Sequence, residues 1–74
     1  MGRIVLFGEE WKRQVREALN LLEDKGTKHR FYDTTSNISN RVILFNLTTA
    51  TATPILFDDG VMINGIAAIR EYLA

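Results

Sequence analysis

The spacing of apolar positions divides the chain into seven elements. Ile4-Val5-Leu6-Phe7 is an unbroken apolar run, entered from Arg3 and closed by Gly8. It is too short for a helix and predicts a strand over residues 3–7, buried with neighbours on both sides. Glu9 and Glu10 follow, placing negative charge where a helix N-terminus favours it. Trp11, Val15, Ala18 and Leu22, with Leu19 alongside, then recur at helical spacing. The opposite face is polar, and Lys25-Gly26 supplies a helix stop. The pattern predicts a helix over residues 11–25 with Trp11 as its first core residue.

His29-Arg30-Phe31-Tyr32-Asp33 reads as a second strand, less apolar and therefore nearer an edge. Thr34 to Asn37 carries turn and N-cap chemistry. Residues 38–47 are ambiguous. Ile38, Val42 and Phe45 fit an inward helical stripe, while Val42-Ile43-Leu44-Phe45 has strand composition; a helix is the reading adopted. Residues 48–53 form a polar, β-branched connector into Pro54. Ile55-Leu56-Phe57, Asp58-Asp59-Gly60 and Val61-Met62-Ile63 make a hairpin, with Gly60 supplying the positive φ. Asn64 is placed to cap a last helix whose inward face is Ile66, Ile69, Tyr72 and Leu73.

The order is therefore βαβαββα. A β-helix-β start gives two parallel strands with a right-handed crossover, and the hairpin adds two antiparallel strands. The expected class is α/β, a four-stranded mixed sheet flanked by three helices.

Composition narrows the chemistry. The 74 residues are treated as a single domain, with 3–73 as one folded unit. There is no cysteine, which removes disulfides, thiolate metal sites and thiol nucleophiles; one histidine, His29, cannot build a histidine-rich metal site. Nine basic residues balance nine acidic ones, which argues against nucleic acid as a partner. No apolar run exceeds four residues, so neither a membrane span nor a signal peptide is read, and a cytoplasmic location is expected. Asp58-Asp59 is explained by a turn rather than by acid–base chemistry. The sequons Asn37-Ile38-Ser39 and Asn46-Leu47-Thr48 carry no weight without a secretory signal. No catalytic residue and no metal ligand is assigned.

Thr53-Pro54-Ile55-Leu56-Phe57-Asp58-Asp59-Gly60, followed by Val61-Met62-Ile63 and Ala68-Ile69-Arg70-Glu71-Tyr72-Leu73, resembles the thioredoxin-fold domain of the glutaredoxin and glutathione S-transferase families. So does the start, Ile4 to Phe7 with Val15 to Leu19 and Lys25-Gly26. The resemblance covers residues 3–73 and implies a thioredoxin-like fold. It also implies a cis bond at Thr53-Pro54, facing the N-terminus of the first helix. Glutaredoxins open that helix with Cys-Pro-Tyr-Cys. The matching positions here are Lys12-Arg13-Gln14-Val15, so thiol–disulfide exchange by this chain is chemically excluded. Gly8-Glu9-Glu10-Trp11 lacks the hydroxyl or thiol of the transferases. Asn64-Gly65-Ile66-Ala67-Ala68 stands where both families hold the γ-glutamyl group of glutathione, without the polar anchors.

The expectation is a cysteine-free, redox-inactive domain with no cofactor. It would bind a peptide segment or partner protein at Lys12, Arg13, Gln14, Thr53, Pro54, Asn64 and Gly65, the residue before the proline offering its backbone to an extended ligand. Alternatives are retained glutathione or small-thiol binding, a cysteine-free variant of a glutaredoxin, and a homodimer through an edge strand and exposed apolar surface.

Overall fold

The computed structural model describes residues 4–47 and 53–74. Its elements are β1 (Ile4–Gly8), α1 (Arg13–Asp24), β2 (His29–Asp33), α2 (Ile38–Leu47), β3 (Ile55–Asp58), β4 (Val61–Asn64) and α3 (Ile66–Leu73). Residue Arg3 of the predicted first strand and residues 48–52 of the predicted connector lie outside the described residues. Among those described, no helix is long and apolar enough to cross a membrane.

The sheet order is β2-β1-β3-β4. β1 pairs parallel with β2, Ile4 opposite His29, and antiparallel with β3, Ile4 opposite Asp58. The most apolar strand therefore has neighbours on both sides, as β3 does, and the charged β2 sits at an edge. The hairpin turns on Asp59 (φ 52°) and Gly60 (φ 90°). Two positive φ angles in a two-residue loop match the right-handed twist of the flanking strands.

Alternation along β1 sends its side chains to two cores. Ile4 and Leu6 join Ala18, Leu22, Leu56, Ile63, Ile69 and Leu73 beneath α1 and α3. Phe7 joins Ile55 and Leu44 on the α2 side, with Val5, Tyr32 and Phe57 packed around them. Gly8 ends β1 directly against α1. A Cβ there would lie 2.5 Å from Val15 Cγ2.

Four expectations are corrected. Trp11 is 68% exposed, not core. The chain is still turning there, with the Lys12 N–H on the Glu9 carbonyl at 3.0 Å, and the helix starts only at Arg13. The buried stripe of α1 accordingly begins at Val15. In α2, Ile38 (75%), Val42 and Phe45 (56%) face outward, and Leu44 is the buried residue. Four successive apolar positions, Val42 to Phe45, give the period nothing to select. Asn40 sets the phase instead: its Nδ2 donates to the Asp33 carbonyl at 3.0 Å, putting Leu44, one turn later, over Phe7.

Asn64 does not cap α3, because β4 continues through it. Gly65 holds the N-cap at φ 93°, a conformation that suits glycine, and no side chain caps it. Tyr72 is exposed rather than inward, and its hydroxyl donates to the Asp58 carboxylate. That carboxylate, accepting from the phenol, raises the Tyr72 pKa.

Candidate functional site

The end of β1, the N-terminus of α1 and the entry to β3 converge. Lys12 is the N-cap of α1 with an extended backbone (φ −77°, ψ 132°). Its ammonium reaches across to donate to the Thr53 carbonyl at 3.0 Å and to Thr53 Oγ1 at 3.3 Å. The Thr53 hydroxyl donates onward to Glu9 Oε1 at 2.5 Å. Lys12, Thr53 and Glu9 thus form one chain of hydrogen bonds joining two segments more than forty positions apart in sequence. An ammonium has three N–H donors, so one remains for another acceptor.

The Thr53–Pro54 peptide is cis, and Pro54 is fully buried. The Pro54 carbonyl accepts the Gly65 N–H at 2.9 Å, bringing Gly65 beside it. Among the described residues no backbone group bonds to Thr53; its carbonyl is held by a lysine side chain alone.

Next to Thr53 lies a cavity of about 140 Å³ lined by Glu9, Thr34, Arg41, Leu44, Phe45 and Thr53. It combines a carboxylate, a guanidinium and two hydroxyls with one apolar wall. Arg41 forms no ion pair among the described residues.

Asp33 ties the loops around this cavity. Its Oδ1 accepts the Thr35 N–H at 2.9 Å and the Glu10 N–H at 3.4 Å, and its Oδ2 accepts the Ser36 hydroxyl at 2.7 Å. These donors, the Thr35 N–H foremost and the Ser36 hydroxyl next, hold its pKa below the ordinary aspartate value. A depressed folded-state pKa favours the ionised carboxylate on folding. Its contribution is therefore present above about pH 4 and is lost as pH falls through the lower folded value. Because Asp33 is well solvated, the effect is small. The acid limb of urea-unfolding midpoints should be measurably shallower in Asp33→Asn than in the parent. Identical limbs would count against this assignment.

Of the residues singled out in the sequence, the fold brings Lys12 and Thr53 into contact, with Pro54 and Gly65 adjacent. Arg13 lines a different shallow groove, along α1 with Trp11, Arg16 and Glu17. Gln14 is exposed on α1, and Asn64 is exposed on β4. Val15, the fourth position of the motif register, is buried under Gly8. Sequence reasoning missed Thr34, Arg41, Leu44 and Phe45 as cavity residues and Glu9 as the acceptor for Thr53. Glu9 followed a strand with no motif around it, and Arg41 sat on a helix whose facing the pattern left open.

No protein-family model matches this chain, and no curated protein matches its sequence. Solved structures do match in shape. The buckwheat glutaredoxin–glutathione complex superposes with TM-score 0.81 at 18% identity, covering 95% of this chain and 66% of that one. The Archaeoglobus fulgidus glutaredoxin gives 0.74 at 10% identity, covering 88% and 76%. Glutaredoxin 1 from Francisella tularensis gives 0.72 at 13% identity, covering 96% and 91%. The likeness is one of fold: a thioredoxin-like α/β domain of glutaredoxin type, in a chain with no cysteine.

Proposed function

We propose that this domain is a non-catalytic binding module that takes an extended peptide segment beside Thr53-Pro54. The observation that carries this reading is the Thr53 carbonyl. It is held by the ammonium of Lys12, the N-cap residue of α1, rather than by the sheet. A lysine side chain can swing aside, leaving a main-chain acceptor at the entry to β3 for a short strand addition. Lys12 is thus the residue a ligand must displace, and Arg41 and Glu9 at the neighbouring cavity supply charges of both signs for its side chains.

The test is a ¹⁵N-amide NMR titration with a pool of capped hexapeptides. Shifts are expected at residues 12–14, 53 and 64–65. Lys12→Ala, which frees the carbonyl, should tighten binding roughly fivefold, the equivalent of about 1 kcal/mol for one exchanged hydrogen bond. An unresponsive spectrum, or shifts confined to other surfaces, would sink the proposal.

A second reading, glutathione binding, is favoured by the cationic Lys12 and Arg41 near Thr53, which suit carboxylate groups. Residues 64–68 lack side chains of the kind that would anchor a γ-glutamyl group. Reduced glutathione titrated in the same way decides it: millimolar saturation at residues 12–14, 53 and 64–65 would place the small thiol ahead of the peptide.

A further inference from the structure

The two edges of the sheet differ in chemistry. β2 carries Arg30 and Asp33, charges that discourage pairing with another strand. β4 is Val61-Met62-Ile63-Asn64, with no charge, no proline and no bulge. Val61 is 59% and Met62 43% exposed.

Which backbone groups of β4 are free follows from the hairpin. A two-residue loop is closed by a hydrogen-bonded pair, here Asp58 and Val61. Antiparallel pairs alternate, so Leu56–Ile63 and Pro54–Gly65 are the next bonded positions. The last is seen directly, the Gly65 N–H on the Pro54 carbonyl at 2.9 Å. The N–H and C=O groups of Met62 and Asn64 therefore point away from β3, into the open edge.

We infer that β4 is a self-association edge, and that its occupant is a second copy of this chain. Antiparallel pairing about a two-fold axis at Ile63 sets Met62 of one copy against Asn64 of the other and satisfies all four outward-pointing residues at once. Each Met62–Asn64 pair exchanges two N–H···O=C bonds, making a continuous eight-stranded sheet. The strand being uncharged, no like charges stand directly opposite each other across the two β4 strands. The same register carries the acidic Asp58-Asp59 turn of each copy toward the N-terminus of the other's α3. That terminus has no capping side chain and no acidic residue in its first turn, so the charges are complementary. Beside the edge, Met62, Ala68 and Tyr72 line a shallow groove with Glu71 at its rim, where the two α3 helices would meet. The contact is small by the standard of stable dimers, so exchange between monomer and dimer is fast.

The experiment is a concentration series from about 10 μM to about 1 mM, the range in which a weak contact of this size titrates. Sedimentation velocity is read together with ¹⁵N-amide shifts. The sedimentation coefficient should rise toward the dimer value, with shifts centred on Met62 and Asn64. Met62→Lys with Asn64→Lys, on exposed positions that leave the β3 ladder intact, should stay monomeric with an otherwise native spectrum. Mixing it with Met62→Glu/Asn64→Glu should restore association at least tenfold over either alone. A parent that stays monomeric throughout overturns the inference. So does association that survives the lysine pair, or that maps to residues 38–47.

Discussion

Phe7→Ala is expected to remove about 4 kcal/mol of stability, at least a third of what a domain this size possesses. Phe7 is fully buried at the centre of the smaller core, against Leu44 and Ile55. Its ring meets Tyr32 edge-on at 5.1 Å and Phe57 at 5.8 Å, with interplanar angles of 87° and 85°. Such pairs add roughly 0.5–1.5 kcal/mol to the burial they accompany. A 74-residue chain, at roughly 0.05–0.15 kcal/mol per residue, holds about 4–11 kcal/mol in all. The urea midpoint of the variant should then fall by at least a third relative to the parent. Far-UV circular dichroism against urea is the measurement to use, since the exposed Trp11 reports poorly on the core. Phe45→Ser, on the outward side of α2, should change the unfolding free energy by less than about 0.5 kcal/mol. A loss below about 2 kcal/mol for Phe7→Ala would mean that the α2-side core does not unfold together with the rest.

The second large effect belongs to Gly8→Ala. The new Cβ would lie 2.5 Å from Val15 Cγ2 and 3.1 Å from Cγ1. Val15 is β-branched, helical and fully buried, so it has almost no alternative rotamer to escape into. Either β1 shifts away from α1 or the helix moves, at a cost of about 1–3 kcal/mol. The diagnosis is specific enough for a double-mutant cycle. Val15→Ala alone opens a cavity, but in the Gly8→Ala background the added methyl occupies it. The two changes should couple by at least about 1 kcal/mol in the favourable direction. Strict additivity of the urea midpoints would show that something other than this contact fixes glycine at the end of β1.

Much of the fold was legible because two patterns were unambiguous. Ile4 to Phe7 can only be a short buried run, and Val15, Ala18 and Leu22 can only be one face of a helix. Asp59-Gly60 specified the hairpin through the φ values it needs. Legibility failed where tertiary contact decides between equal local options. Trp11 extended the spacing of a helix that had not yet begun. Val42 to Phe45 offered every facing of α2, and the choice fell to Asn40, whose partner is a main-chain carbonyl on β2. Asn64 had the right chemistry for a cap and was taken up by the strand, leaving the cap to Gly65. At the candidate site, Lys12 and Thr53 were found from the register of the motif around them. Glu9 and Arg41 were not, because their roles arise only when the ends of β1, β2 and β3 meet.

Of the two inner strands of the sheet, one is the first in the sequence, and its second neighbour is the third. Ile4 must wait for Asp58 to exist before that side of β1 can pair. On a ribosome adding about 5–20 residues per second, several seconds separate the two. Through that interval Ile4 to Phe7, the most apolar strand of the chain, has at most β2 for company. Folding of the sheet is therefore not vectorial: β1 gains its second neighbour only once β3 has been synthesised. The nascent chain carries an open apolar edge until then, a natural point of engagement for a holding chaperone.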